Sequence, residues 1–161
     1  MIILGIDPGL ATTGFGAIQC NNAVPSLLKC GYIKTSPQEH FSKRLFQIHR
    51  DTNTLIHTFR PDLVAVENVF SLVRYPKAGI LLGGVLGIIY LSVFQNNVAV
   101  TEITPKEVKH ALSGFGGADK YQMKSVIKKL LKLENIKSLH ASDALAVALT
   151  AFYRKGSRKI S

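Results

Sequence analysis

The segment GIDPGLATTG, residues 5–14, indicates the fold most directly because it joins a strand to a turn. Residues 1–6 form a short apolar run, which is typical of a buried β-strand. The run is followed by the carboxylate of Asp7, and Pro8–Gly9 then provides the residues of a turn. A charged group at the end of a buried strand is unfavourable unless something there requires the charge. Asp7 is therefore either one corner of a functional site or part of a purely structural turn.

The patterns that follow this segment predict a mixed α/β sheet with helices on both faces. Apolar residues at helical spacing from Phe41 to Phe59 mark an amphipathic helix, and Thr104–Pro105 is a typical helix start. The short strand before Glu67 also ends on a carboxylate. The predicted strands are residues 1–6, 12–20, 28–35, 63–66 and 98–103, and the predicted helices are 41–59, 78–94, 105–112, 120–132 and a last one from about Ser138. We expect one domain over 1–153 and a basic C-terminal tail over 154–161.

The distribution of charge favours a polyanionic partner. The 161 residues carry a formal net charge of +10, and 47% are hydrophobic, which excludes a disordered chain. The first 80 residues contain eight Lys or Arg and five Asp or Glu, whereas the remaining 81 contain twelve and five. This asymmetry is typical of nucleic-acid binding, although a solvated basic face would give the same count.

The N-terminus and the cysteines indicate a cytoplasmic protein. Met1 leads directly into a strand without a basic leader, so we expect no signal peptide. Cys20 and Cys30 match no metal or redox spacing. We expect reduced, half-buried thiols, with pairing across a hairpin as the alternative.

The uncharged segment 78–97 approaches the length of a membrane span. Gly79, Gly83 and Gly87 recur every four residues, a pattern that suits close helix packing in lipid or in protein. Polar Ser92 interrupts the segment, and no second span exists in the sequence. We therefore expect a buried helix that lies partly at a subunit interface, and no membrane association.

Two strand-end carboxylates suggest a metal site. If their strands are parallel neighbours, Asp7 and Glu67 lie close together, where they repel unless a cation or a proton intervenes. His140 and Asp143 are three residues apart and share one face of the last helix. Mg²⁺ accepts a few carboxylates with water and phosphate oxygens, and two such ions can support phosphodiester hydrolysis. Each of the four residues also has an ordinary structural explanation, so the hypothesis depends on their coincidence.

Basic and aromatic residues near these positions are candidates for DNA contact. Lys106 and Lys109 lie on the helix that Thr104–Pro105 begins, and Lys120 begins the next helix. Phe70 and Tyr75 could stack on unpaired bases. Each of the five is also explained as an ordinary surface, core or loop residue.

Four segments together resemble the RuvC Holliday-junction resolvases. They are GIDPGLATTGFGAI, VAVENVF, PKEVKHALSGFGGADK and HASDALAVALTAF, in the family's order and over nearly the whole chain. The resemblance implies a ribonuclease-H-like fold, a homodimer, and Mg²⁺- or Mn²⁺-dependent cleavage of four-way junctions that leaves 5′-phosphates. It also implies a branch-migration helicase complex, RuvA and RuvB, as a partner.

The resemblance also implies roles for individual residues. Asp7, Glu67 and Asp143 correspond to acidic metal ligands of the family, and His140 to a position where many members have Asp and some have His. Lys109 and Lys120 correspond to functional lysines of the family, and Phe70 corresponds to the aromatic residue that probes junction bases.

Three other interpretations of the sequence stay open. The segment DPGLATTG also resembles the phosphate loop of actin-like sugar kinases and ATPases, which need two copies of such a domain. A junction-binding module without catalysis is the second, because His140 in place of Asp could impair metal binding. A related nuclease that acts on RNA precursors is the third, and substrate preference separates it from a resolvase.

Overall fold

The computed structural model describes residues 1–21, 24–68, 76–114 and 118–157. Five strands and five helices lie within these ranges, in the predicted order. The strands are β1 (Ile2–Asp7), β2 (Thr12–Asn21), β3 (Val24–Lys34), β4 (Leu63–Glu67) and β5 (Ala99–Ile103). The helices are α1 (Phe41–Phe59), α2 (Pro76–Gln95), α3 (Pro105–Ser113), α4 (Lys120–Leu130) and α5 (Leu139–Ser157).

The strands form one mixed sheet in the order β3-β2-β1-β4-β5. β1 to β3 are an antiparallel meander, whereas β4 is parallel to both β1 and β5. The central pair of β1 and β4 is in register from Ile3↔Leu63 to Ile6↔Val66. The carboxyl ends of these two strands therefore meet at one edge of the sheet, as the sequence predicts.

Each face of the sheet is covered by helices, so the predicted class of mixed α/β sheet is confirmed. One core packs α5, α3 and α4 against the sheet, and its fully buried members include Ile3, Ile18 and Leu145. The second core packs α1 and α2 against the opposite face around Leu4, Ile48 and other apolar side chains. Alternate residues of β1 thus enter opposite cores, as expected for a strand covered on both faces.

Local sequence signals fix the ends of three helices. Thr104 caps α3 in a capping box with Glu107, and Asp119 caps α4 in the same way with Gln122. Arg60 ends α1 in the left-handed conformation, with its N–H bonded to the Ile56 carbonyl. These contacts explain why the predicted boundaries of α1 and α3 lie within one residue of the observed ones.

Two boundaries differ by several residues from the predictions. β3 begins at Val24, inside the predicted turn, because its first residues pair with the end of β2. The predicted tail is partly wrong, because α5 continues to Ser157. Arg154, the first residue of that tail, bonds to the Glu102 carbonyl and to the Glu107 carboxylate. Residues 158–161 lie outside the described part of the chain. Cys20 and Cys30 are free thiols, as expected.

Helix α2 is less buried than the sequence suggested. Its 77–95 window has a mean hydropathy of 1.9 and qualifies as a membrane span by length and composition, but only 22% of its residues are buried within the chain. Ile80 is 75% exposed and Phe94 is 80% exposed. The prediction of a buried helix therefore holds only for the side that packs on the sheet and α1.

Candidate active site

The four predicted acidic and histidine residues line one pocket of about 550 Å³. Asp7 is the last residue of β1, and Glu67 is the last residue of β4. His140 and Asp143 come from the beginning of α5, which packs across the same edge of the sheet. The rest of the lining comes from α3, from α4 and the two residues before it, and from α5: Pro105, Val108, Lys109, Ala118, Asp119, Lys120, Met123 and Ala146.

Helix α5 reaches this position because glycines let its backbone lie directly on the sheet. A Cβ on Gly5 would lie 2.1 Å from the Ala144 carbonyl oxygen, and one on Gly14 would lie 2.1 Å from the His140 carbonyl oxygen. Gly14 is also the register partner of Asp7. Ser138 supports the start of the helix, since its hydroxyl accepts a hydrogen bond from the Ala141 N–H. The glycines of the first motif therefore set the distance between β1 and α5.

We expect Gly14→Ala to destabilise the protein by ~3 kcal/mol, because the new methyl group must push the first turn of α5 away from the sheet. Urea unfolding at fixed pH measures this free energy. Thr12→Ala, in the same strand but only half-buried, is the matched control and should cost under ~1 kcal/mol. Equal losses for the two variants would contradict the close-packing explanation.

The carboxylates of the pocket have few compensating charges. His140 Nδ1 lies 3.0 Å from Asp7 Oδ2, and Lys120 Nζ lies 3.8 Å from Asp143 Oδ2. Burial and the nearby charges of Asp7 and Asp143 raise the pKa of Glu67 to about 8. Burial, followed by the charge of Asp7, also raises the pKa of Asp143, although Lys120 and His140 oppose this. Without a cation, the pocket therefore holds Glu67 mainly protonated at neutral pH.

The donor set of this pocket fits a divalent cation. A cation among crowded carboxylates removes the repulsion that raises the pKa of Glu67. Over the described residues, no three His, Cys, Asp or Glu side chains are grouped so that they could together hold a metal ion. Mg²⁺ does not need such a group, because it binds through one or two carboxylates and keeps several waters.

The structure separates the predicted DNA-contact residues into three groups. Lys109 and Lys120 line the pocket, whereas Lys106, on the same helix as Lys109, does not. Helical phase explains this, because Pro105, Val108 and Lys109, at positions i, i+3 and i+4, form the side of α3 that faces the pocket, and Lys106 lies beside that side. Phe70 and Tyr75 lie outside the described residues, and their roles stay predictions.

Sequence reasoning missed one polar residue of the pocket. Asp119 lies on its wall, but its Oδ1 accepts a hydrogen bond from the Gln122 N–H at 2.8 Å. The sequence does indicate the role of Asp119, because an Asp directly before a predicted helix is a typical N-cap. We therefore assign Asp119 to the support of α4, and hence of Lys120.

Comparisons with known proteins give one consistent family. A family model described as Crossover junction endodeoxyribonuclease RuvC matches residues 3–151. The protein of that name from Natranaerobius thermophilus is 38% identical over 150 residues, covering 92% of each chain. The one from Caldicellulosiruptor saccharolyticus is 39% identical over 151 residues, covering 92% of this chain and 90% of that one.

Solved structures agree with the sequence comparisons. Thermus thermophilus RuvC superimposes with a TM-score of 0.88 and 36% identity, covering 98% of this chain and 97% of that one. T. thermophilus RuvC in complex with Holliday junction substrate gives a TM-score of 0.87 and 34% identity over 96% of each chain. The predicted ribonuclease-H-like fold and the predicted enzyme class, an endodeoxyribonuclease, are both confirmed. The chain belongs to the crossover junction endodeoxyribonuclease RuvC family.

Proposed function

We propose that this chain resolves four-way (Holliday) DNA junctions by paired, metal-dependent hydrolysis of phosphodiester bonds, in homologous recombination and DNA repair. The observation that carries the proposal is an acidic pocket at the ends of two parallel strands in a chain of net charge +10. The solved complex of the T. thermophilus relative with Holliday junction substrate supports the same substrate class. The site residues and the metal below are part of the proposal.

In this proposal Asp7, Glu67, Asp143 and His140 hold two Mg²⁺ ions, for which Mn²⁺ substitutes. Such ions supply activation of water and stabilisation of the leaving oxygen. The carboxylates contribute oxygen ligands, which Mg²⁺ prefers. In the tautomer that donates from His140 Nδ1 to the Asp7 carboxylate, Nε2 is the ring nitrogen left for a metal ion or a proton. In-line hydrolysis at this pocket leaves a 5′-phosphate and a 3′-hydroxyl.

Lysines at the pocket bring the DNA backbone to the carboxylates. Lys109 and Lys120 line the pocket, and we assign both to contacts with phosphates beside the scissile bond. Lys106 is assigned to a phosphate further along the strand, because it does not line the pocket. Lys120 also lies beside Asp143, so binding of a cation there would release its ammonium group toward DNA. Phe70 and Tyr75 are proposed to stack on bases at the centre of the junction.

A homodimer would supply the two sites that paired nicks require. The face of α2 that carries Gly79, Gly83 and Gly87 supports a dimer, because a Cβ on any of the three would meet nothing within 4 Å. Ile80, Leu81 and other apolar side chains of α2 are exposed around it. Small residues beside exposed apolar ones favour close packing against a second helix. We propose that this face packs against the α2 of a second copy.

We expect Gly83→Glu to weaken the dimer by ~100-fold or more, because it places an unpaired charge in the proposed interface. Analytical ultracentrifugation over a range of concentrations measures the change. Thr54→Glu, on the exposed side of α1, is the matched control and should leave the dimer intact. A dimer of unchanged affinity in Gly83→Glu would show that α2 is not the interface.

Membership of the family also supports proposals for the cellular location, the domain and the protein partners of this chain. We place the enzyme in the cytoplasm, with a single nuclease domain that includes the whole of α5, to Ser157. The branch-migration helicase complex of RuvA and RuvB is the proposed partner at the junction.

The experiment that tests the function compares substrates. A labelled synthetic four-way junction and a linear duplex with the same arms are incubated with the protein in Mg²⁺ and in EDTA. Cleavage of the junction only, and only in Mg²⁺, is expected. Binding of the junction without cleavage in Mg²⁺ or Mn²⁺ would leave a binding module, and preference for structured RNA would indicate the RNA-processing alternative.

A further inference from the structure

We propose that Glu102 is a positioning residue for junction cleavage, which ties Asn68, the residue directly after Glu67, to helix α2. Its carboxylate accepts two hydrogen bonds, one at each oxygen. Asn68 Nδ2 donates to Oε2 at 2.5 Å, and the Tyr90 hydroxyl donates to Oε1 at 2.8 Å. The inference rests on the function proposed above, because it concerns the rate of that reaction.

Glu102 lies next to the catalytic edge of the sheet but on the opposite face from the pocket. It is the register partner of Val66, and its neighbour Ile103 is the partner of Glu67. Successive residues of a strand point to opposite faces. Val66 enters the core beneath α1 and α2, and Glu67 lines the pocket. Glu102 therefore acts on the site through the backbone, and not by contact with substrate.

The contact with Asn68 fixes the point at which the chain leaves β4. The Asn68 N–H donates to the Ile103 carbonyl at 2.8 Å, and the Asn68 side chain reaches Glu102 at the same strand end. Two bonds to β5 thus hold the residue that follows Glu67.

The contact with Tyr90 extends the connection to the helix whose outer face we assign to the dimer. Burial, the hydrogen bond to Glu102 and the charge of Glu102 raise the pKa of Tyr90 above its usual value, so its hydroxyl stays protonated as a donor. Tyr90 belongs to α2 and Glu102 to β5, and Asn68 directly follows β4. A shift of α2 would therefore reach Asn68, and through it Glu67, by way of the two hydrogen bonds to Glu102.

The test measures single-turnover cleavage of a four-way junction by four variants. Glu102→Ala removes the shared acceptor, and we expect a ~10- to 100-fold lower rate with junction Kd changed by less than about threefold. Tyr90→Phe removes one hydroxyl and should lower the rate by ~3- to 10-fold. Glu102→Gln keeps one acceptor oxygen and should recover part of the loss. In the double variant, Tyr90→Phe should add nothing to Glu102→Ala, since both act through one carboxylate.

Matched controls separate this role from effects of charge or folding. Glu134→Ala removes an exposed carboxylate, and Tyr32→Phe removes an exposed hydroxyl from the far edge of the sheet. Both should cleave at the wild-type rate. Thermal unfolding of every variant shows whether a lower rate reflects unfolded protein.

The outcomes are distinguishable. Rates of Glu102→Ala and Tyr90→Phe within about twofold of wild type would overturn the proposal, as would additive losses in the double variant. If Glu102→Ala fails to fold, Tyr90→Phe decides by itself. A wild-type protein that does not cleave the junction would instead overturn the proposed function, and the positioning role with it.

Discussion

Asp7→Asn is expected to lower the rate of junction cleavage by at least ~1,000-fold while junction binding stays within about threefold of wild type. Asp7 lies at the end of β1, where its carboxylate adjoins both His140 and Glu67. The asparagine side chain has nearly the same shape but lacks the negative charge to which we assign cation binding and the orientation of His140. The loss should therefore fall on the chemical step, measured as a single-turnover rate with the protein in excess of the junction and at a concentration above the Kd.

The control for this variant is Asp51→Asn, which changes the same charge on α1, away from the pocket. We expect it to cleave at the wild-type rate. Folding of Asp7→Asn is checked by thermal unfolding in EDTA, where loss of one repelling carboxylate should not destabilise the protein. Residual cleavage above about a tenth of the wild-type rate would remove Asp7 from the catalytic set.

Raising the pH from about 5 to about 8 in EDTA is expected to destabilise the metal-free protein by ~3 kcal/mol. The pKa of Glu67 is about 8 in the folded chain and 4.5 in the ordinary reference state. Between these values the folded protein binds more protons than the unfolded one, so stability is present at low pH and falls as the pH rises. The raised pKa of Asp143 contributes with the same sign.

Urea unfolding at several pH values measures this slope, and Glu67→Gln isolates its source. The variant carries no titrating group at this position and should lose most of the pH dependence. Mg²⁺ at about pH 8 should restore stability to the wild type, because a bound cation offsets the ionised carboxylates. Glu39→Gln, at an exposed ion pair with Lys43, is the matched control. If the unfolding free energy of Glu67→Gln depends on pH as steeply as that of the wild type, ionisation of Glu67 is not what destabilises the folded protein.

Much of the site was predictable because it depends on strand order. Asp7 and Glu67 could be placed together since each follows a short apolar strand, and strands of that kind are buried and parallel. The position of α5 over the strand ends depended on Gly5 and Gly14, whose close contacts appear only once the helix is docked. The sequence therefore allowed only a hypothesis that His140 lies near Asp7, and the packing of α5 on the sheet places the two side chains together.

Other features were not predictable from local patterns. The exposed side of α2 is the side that does not meet the sheet. The sequence does not show which side that is, because α2 is apolar all round. The hydrogen bonds among Asn68, Tyr90 and Glu102 join residues 12 to 34 positions apart, and no periodicity relates them. Arg154 was assigned to a tail because its neighbours are basic, whereas its contact with Glu107 is tertiary.

Ligation of the cleavage products tests directly whether the protein makes paired nicks that carry a 5′-phosphate and a 3′-hydroxyl. A four-way junction that cannot migrate is resolved in Mg²⁺, and the products are treated with DNA ligase without prior phosphorylation. We expect two nicked duplexes, cut at symmetric positions on opposed strands, that the ligase seals because each nick carries a 5′-phosphate and a 3′-hydroxyl. Nicks that cannot be sealed, unpaired cuts, or equal cleavage of a linear duplex would contradict the proposed function.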